Sequence, residues 1–296
     1  MFYLLPFFCS AFPVADMASK IFVYKISPSS VKELYPELPD FDSITMKLPS
    51  GLYTTFRTYA RRTKVIGLRE HLDRLYLPAK VQGIRPAIPR ESDFRKLLSD
   101  LLSRNGSQEA RVRMILETSK KPGETYVLIQ DLQPLPPEVY RDGVRVDLST
   151  MSRETPTVKR TLFIRESSSE RKRLGGDVFE ILLAHNGRIL EGMTSNFFYV
   201  REGVLHTAGR GVLAGVTRRT VTTLASQAGI PVRYKSLPLR EIPRIEEACI
   251  TSSSRGVVPV VQVADNRIGS GIVGKVTTQL MNLYERRIEE LAESIL

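Results

Sequence analysis

Five stretches of the chain carry side chains that could do chemistry. Leu213-Ala214-Gly215-Val216-Thr217-Arg218 is a glycine turn opening a helix. Free backbone N–H groups at a helix start, joined by a threonine hydroxyl, hold an anion such as phosphate; the structural alternative is Thr217 as a plain N-cap. A second hydroxyl-rich turn, Thr251-Ser252-Ser253-Ser254, follows the strand-like Glu247–Ile250 and suits phosphate or a solvated loop. Glu191 opens Glu191-Gly192-Met193-Thr194-Ser195-Asn196-Phe197-Phe198, where a carboxylate enters a strand at a hairpin; spacing alone makes it a surface residue. His71 and Arg74 stand about one turn apart on a helix, which also fits a surface ion pair. Lys159 is one of 43 Lys and Arg residues, and nothing local marks it.

Other chemistries have less to work with. The histidines His71, His185 and His206 and the cysteines Cys9 and Cys249 form no pair at metal-ligand spacing, so no metal is expected. Two scattered cysteines fit a reducing, cytoplasmic compartment. Net charge is +11, but the basic residues are dispersed and do not alternate with aromatics. That pattern indicates a basic surface or cationic sites for small anions, and no nucleic acid. Residues 1–16 are apolar, too short to span a bilayer, and interrupted by Pro6 and Pro13. They read as an extension before a start at Met17, with a signal peptide as the alternative. No membrane segment is expected elsewhere.

The elements that must position these groups fall into two patterns, within a length that allows two domains. In the N-terminal half, Ile21–Ile26, Ser43–Leu48, Leu52–Tyr59 and Lys64–Leu68 read as strands. Residues 68–81 read as a helix, and Ser92 is the expected cap of a second, with Phe94, Leu97, Leu98, Leu101 and Leu102 on one face. Arg111–Glu117 and Thr125–Gln130 are strands joined at Lys121-Pro122-Gly123, and Gly143–Ser149 is a further one. The stretch 150–158 has no periodicity and reads as a linker between domains 17–149 and 159–296. Beyond it, Val178–Ala184 and Phe197–Val200 are strands separated by the Asn186-Gly187 turn. Thr217–Ala228 reads as a helix, Val257–Val263 as a strand, and Val276 to Ile295 as an amphipathic helix. The fold class is α+β in two parts.

The order of these segments resembles the class IV aminotransferases, the fold-type IV pyridoxal-5′-phosphate (PLP) family, over roughly residues 43 to 285. The family's glutamate, small residues, asparagine and aromatic strand match Glu191 to Phe198. The stretch 203–218, the segment 245–260 and the early Glu70-His71-Leu72-Asp73-Arg74-Leu75 follow the family's order. The family's lysine lies some thirty residues before the glutamate, after an interdomain loop; Lys159 precedes Glu191 by 32 residues and follows the linker. The Asn-Tyr-Leu-like run common after that lysine is replaced by Arg160-Thr161-Leu162, so no named subfamily follows.

What this resemblance implies is specific. The cofactor would sit in the interdomain cleft, with Lys159 as Schiff-base lysine and proton shuttle. Glu191 would face the pyridine nitrogen. Arg74, Val216, Thr217 and Ser253, with Ser254, would bind the phosphate. Tyr53, Thr55 and Arg57 fall where the family places pocket residues; Arg111 and Arg113 lie on a later strand and, by alternation, point to one side. Arg113 matches an arginine that meets a distal carboxylate in branched-chain enzymes. The implied activity is transamination between a small amino acid and a 2-oxo acid, with branched-chain-like specificity, in a homodimer. Two alternatives stand: a lyase releasing pyruvate from 4-amino-4-deoxychorismate, and a basic binding protein that keeps the fold without catalysis.

Overall fold

The first sheet starts with a hairpin in which β1 (Ile21–Ser27) pairs antiparallel with β2 (Ser30–Leu34). Next comes a helix, α1 (Phe41–Lys47), where the sequence suggested a strand. The carboxylate of Asp40 decides this: it accepts the Ser43 N–H and the Ser43 hydroxyl, each at 2.8 Å. That N-cap outweighs the weak helix preference of Ile44 and Thr45. The chain continues through β3 (Gly51–Tyr59), β4 (Lys64–Ile66), α2 (Leu68–Val81), α3 (Glu91–Ser103), β5 (Ala110–Glu117) and β6 (Thr125–Asp131). Helix α3 begins one residue before Ser92, at an N-cap, Arg90, that makes no side-chain capping bond. The computed structural model describes residues 20–106, 108–153, 155–175 and 177–296, so the expectation for 1–16 falls outside the described residues.

Alternation along β3 and β5 separates core from cavity. Leu52 and Phe56, with Val112, Met114 and Leu116, pack against Leu68, Leu72 and Leu75 of α2 and Phe94, Leu98 and Leu101 of α3. The intervening residues, Tyr53, Thr55 and Arg57 with Arg111 and Arg113, line the cavity on the opposite face.

The second half contains α4 (Pro137–Asp142), β7 (Val144–Ser149), α5 (Leu162–Glu166), α6 (Ser168–Arg171), β8 (Val178–His185), β9 (Arg188–Gly192), β10 (Asn196–Arg201) and β11 (Val204–Thr207). It ends with α7 (Val216–Gln227), β12 (Val232–Tyr234), β13 (Leu237–Pro238), β14 (Glu247–Ser252), β15 (Gly256–Val263), β16 (Asn266–Arg267), α8 (Lys275–Leu291) and β17 (Ala292–Ser294). The Asn186-Gly187 turn does form a hairpin, with both residues at positive φ (48 and 70°), but its return strand is β9. Among the described residues, ten strands form the second sheet. Six of them, in the order β10-β14-β15-β7-β8-β9, close on themselves where Asn196 of β10 pairs with Glu191 of β9. Closure removes two sheet edges and places the carboxylate of interest on the seam.

The two sheets do not divide the chain where the linker suggested. β7, expected in the N-terminal domain, pairs parallel with β15 and β8 of the second sheet. At the other end β17 pairs with β4 of the first sheet. Ile295, expected on the last helix, leaves it and packs into the first core. The architecture is a two-domain α+β fold. Among the described residues no helix is long and apolar enough to cross a membrane.

Candidate active site

The linker delivers Lys159 to the free side of the start of β3. Thr161 N–H donates to the Gly51 carbonyl at 2.9 Å, and Gly51 N–H donates back to the Thr161 hydroxyl at 2.9 Å. Tyr53 N–H donates to the Lys159 carbonyl, also at 2.9 Å. The lysine's backbone is therefore clamped, and its side chain enters the cavity with Nζ 4.8 Å from the Tyr53 ring centroid. Desolvation, then the nearby guanidiniums of Arg74, Arg153 and Arg113, push its ammonium well below the usual lysine value, against a smaller pull from Glu191.

Glu191 is 3% exposed. Its Oε2 accepts from Asn196 Nδ2 at 3.2 Å and from Leu213 N–H at 3.0 Å, and Arg153 lies 3.4 Å from its Oε1. Burial raises this carboxyl above the usual range, opposed by Arg153 and the Leu213 N–H. Asn196 Nδ2 also donates to the Leu213 carbonyl at 3.0 Å, tying the barrel seam to the turn before α7. That turn admits only glycine at 215, where a Cβ would meet Asn196 Oδ1 at 2.0 Å.

Gly215 is the N-cap of α7, and no side chain caps it. The first N–H groups of the helix thus lack a side-chain acceptor, while Val216 and Thr217 are 5% and 4% exposed. Thr217 is the second residue of the helix and not its cap; its Oγ1 lies 3.4 Å from Ser253 Oγ. Arg74 reaches this end from α2 and donates to the Ala214 carbonyl at 2.8 Å; burial lowers its guanidinium to about 10.

The remaining wall is cationic. β3 and β5 pair Arg57 directly with Arg111, and Thr55 with Arg113. Arg113 is already engaged: Nη1 donates to Asp42 at 2.7 Å and Thr45 Oγ1 at 2.9 Å, and Nε to Thr55 Oγ1 at 3.2 Å. Arg111 is different. Its Nε is buried with no hydrogen-bond partner, and burial, then Arg113, lowers it to about 10. Opposed like charges across two strands are unfavourable, so Arg57 and Arg111 leave a standing demand for an anion.

Every expected site residue lines this one cavity of about 550 Å³: Tyr53, Thr55, Arg57, Arg74, Arg111, Arg113, Lys159, Glu191, Val216, Thr217, Ser253 and Ser254. Sequence reasoning missed Arg153, which leaves the linker to bond the Met193 carbonyl at 2.6 Å and keeps a buried Nε without partner. It also missed Asp42, which braces Arg113 and Arg171 from α1. Arg255, held at 3.1 Å by the buried Glu180, completes the additions; Thr251, the first residue of the hydroxyl-rich turn, also lines the cavity, its hydroxyl buried and unpartnered. An arginine in a linker carries no local signal.

Residues 51–263 match the family model for Amino-transferase class IV. The chain is 29% identical over 261 residues to the probable branched-chain-amino-acid aminotransferase of Thermotoga maritima, covering 86% of this chain and 92% of the relative. It is 26% identical over 265 residues to the D-alanine aminotransferase of Listeria innocua, covering 80% and 86%. The fold matches the crystal structure of the branched-chain aminotransferase from the thermophilic archaeon Thermoproteus uzoniensis with norvaline. The TM-score is 0.69 at 22% identity, over 93% of this chain and 99% of that one.

Proposed function

The chain belongs to the class IV aminotransferases, and we propose that it is a PLP-dependent transaminase moving an amino group between a small amino acid and a 2-oxo acid. The observation that carries this reading is the meeting of Lys159, Glu191 and the uncapped start of α7 in one cavity. The residues fit the cofactor on their own chemistry. The free helix N–H groups and the unpartnered Arg153 Nε and Thr251 hydroxyl ask for an anion or other acceptors, and the buried Glu191 carboxylate asks for a cationic N–H donor such as a protonated ring nitrogen.

Val216 and Thr217 N–H, the Thr217 and Ser253 hydroxyls, Ser254 and Arg74 would hold the phosphate, and Glu191 would face the ring nitrogen. When bound, the cofactor supplies an electron sink for charge freed at the substrate's Cα. Glu191, held by Asn196 and Leu213, presents its charge without having to reorganise. Lys159 Nζ would be the group that anchors the cofactor and, when free, would take up the proton from the substrate's Cα. Burial and the neighbouring guanidiniums favour its neutral form, the form a general base needs. Arg111 and Arg57 take up a substrate carboxylate; Arg113, occupied by Asp42, braces that wall in place of receiving the anion itself.

The names of the relatives support small amino acids, with branched-chain-like specificity. A homodimer and a cytoplasmic location belong to the same reading. The exposed Val31 and Tyr35 near the edge strand β2 support the first, and a sequence with only two scattered cysteines fits the second. The test is a panel of L- and D-amino acids and 4-amino-4-deoxychorismate, supplied with PLP and an acceptor oxo acid. Formation of the matching oxo acid, with amino-group transfer, is expected; pyruvate release from 4-amino-4-deoxychorismate without transfer overturns the reading.

A further inference from the structure

We infer that Arg255 is a substrate-binding residue that receives the carboxylate next to the reacting carbon, and that Glu180 is the positioning residue that aims it. This deepens the reading of the cavity as a transaminase site and rests on it.

Arg255 lies in the turn between β14 and β15 and lines the cavity. A guanidinium carries five N–H groups in one rigid plane. Three of them are committed to the protein. Nε donates to the Ser252 hydroxyl at 3.0 Å, and Nη2 donates to the Glu180 carboxylate at 3.1 Å and to the Thr194 hydroxyl at 2.6 Å. Nη1 makes no hydrogen bond among the described residues, so its two N–H groups are left for a ligand. The rest of the residue is held as well. The guanidinium stands 5.2 Å from the Phe179 ring centroid, and the backbone carbonyl accepts the Tyr140 hydroxyl at 2.9 Å.

Glu180 of β8 is 1% exposed, and its carboxylate is fixed at both oxygens. Oε1 accepts the Ile181 N–H at 3.0 Å; Oε2 accepts the Thr194 N–H and the Ser195 hydroxyl, each at 3.3 Å, and the Thr194 hydroxyl. One carboxylate thus ties Arg255 to the turn between Glu191 and Asn196, while Ser252 ties it to the turn that carries Ser253. Arg255 is braced between the segment read as facing the ring nitrogen and the segment read as holding the phosphate. The carboxylate on the carbon that exchanges its amino group is the part of every amino or oxo acid that must approach this wall. A buried ion pair adds little stability over apolar packing; what this one supplies is direction. With its plane set before substrate arrives, the guanidinium has little left to order on binding.

The experiment loads the protein with pyridoxamine 5′-phosphate, the amino form of the cofactor, and mixes it with pyruvate or 2-oxoglutarate. Absorbance follows the transfer of the amino group to the oxo acid. Both acids carry the carboxylate beside the reacting carbon, and only the second carries another. Arg255→Met should raise the half-saturating concentration of both by about tenfold, the scale of one hydrogen bond to a charged group, with the maximal rate and cofactor affinity nearly unchanged. Arg255→Lys keeps a cation for Glu180 but has no second nitrogen. It should raise both concentrations nearly as much, and it carries the test if Arg255→Met fails to fold. Glu180→Gln should shift both in the same direction by less. Full recovery in Arg255→Lys would make the ion pair merely structural and overturn the binding role, as would a rise for 2-oxoglutarate alone or a matching loss of cofactor affinity. No shift in Glu180→Gln would overturn its positioning role. If the loaded wild-type protein converts neither oxo acid, the transaminase reading falls and takes the Arg255 role with it.

Discussion

Tyr53 holds Lys159 twice: its backbone N–H donates to the lysine carbonyl at 2.9 Å, and its ring centroid lies 4.8 Å from the lysine amine. The first contact fixes where the linker rejoins the fold. The second keeps a long, flexible side chain from wandering across a cavity that contains several guanidiniums. Tyr53→Ala should keep the cofactor but lower kcat about tenfold, since it removes the ring beside the lysine side chain and a reacting group displaced by about 1 Å can lose up to about a hundredfold in rate. Tyr53→Phe, which retains the ring, should recover most of that loss in steady-state assays; a phenylalanine variant as slow as the alanine one would contradict the role.

The lowered proton affinity of Lys159 has a consequence for stability. The folded cofactor-free protein disfavours the ammonium, so the unfolded chain binds more protons between the depressed folded pKa and the ordinary lysine value near 10.4. Stability attributable to this residue therefore rises with pH across that window. Lys159→Met should raise the apo-protein's melting temperature at neutral pH and flatten its increase toward alkaline pH. Thermal scans from neutral to alkaline pH measure both, and an unchanged slope would refute the coupling.

Glu191→Gln removes the counter-charge but keeps the shape. It should leave PLP bound and slow turnover by about a hundredfold, the scale of losing one preorganised charge-stabilising group. Gly215→Ala attacks the same carboxylate indirectly, because the new Cβ would displace Asn196, the partner of Glu191 and Leu213. It should lower both cofactor affinity and kcat; a variant with normal cofactor binding and kcat would show that the Asn196 contact is dispensable.

Arg111 and Arg113 should behave differently despite lying on the same face of β5. Arg111→Ala should raise KM for a dicarboxylic substrate with little effect on melting temperature. Arg113→Ala should destabilise by about 2 kcal/mol, since it strips the partly buried Asp42 of its closest cation. Although burial opposes it, Arg113 and then Arg171 hold the Asp42 carboxyl below its usual range. Its contribution is thus present at neutral pH and lost as pH falls through the depressed folded value. Denaturation curves at neutral and acid pH should show the Arg113→Ala penalty shrinking on acidification; a penalty independent of pH would rule out the ion pair as its source.

The sequence was legible where local signals and order agreed. The glycine turn before α7, the hydroxyl turn after β14 and the carboxylate before Asn196 all line one wall, because each sits at an element boundary that short-range chemistry specifies. It was illegible where tertiary contacts decide. β7 reads as a continuation of the N-terminal half, yet its apolar residues are satisfied only between β8 and β15. α1 reads as a strand because Ile44 and Thr45 are β-branched, and only the Asp40 cap reveals the helix that positions Asp42. Arg153 could not be distinguished from its basic neighbours until the linker was folded over Glu191.

The most direct test of the proposed chemistry is reductive trapping. The protein is loaded with PLP, reduced with borohydride, digested and analysed by mass spectrometry. The cofactor's mass should appear on the peptide containing Lys159 and be absent from the Lys159→Ala protein, together with the loss of the visible absorbance band. Cofactor found on another lysine, or Lys159→Ala protein that still turns over at near-normal rates, would contradict the assignment.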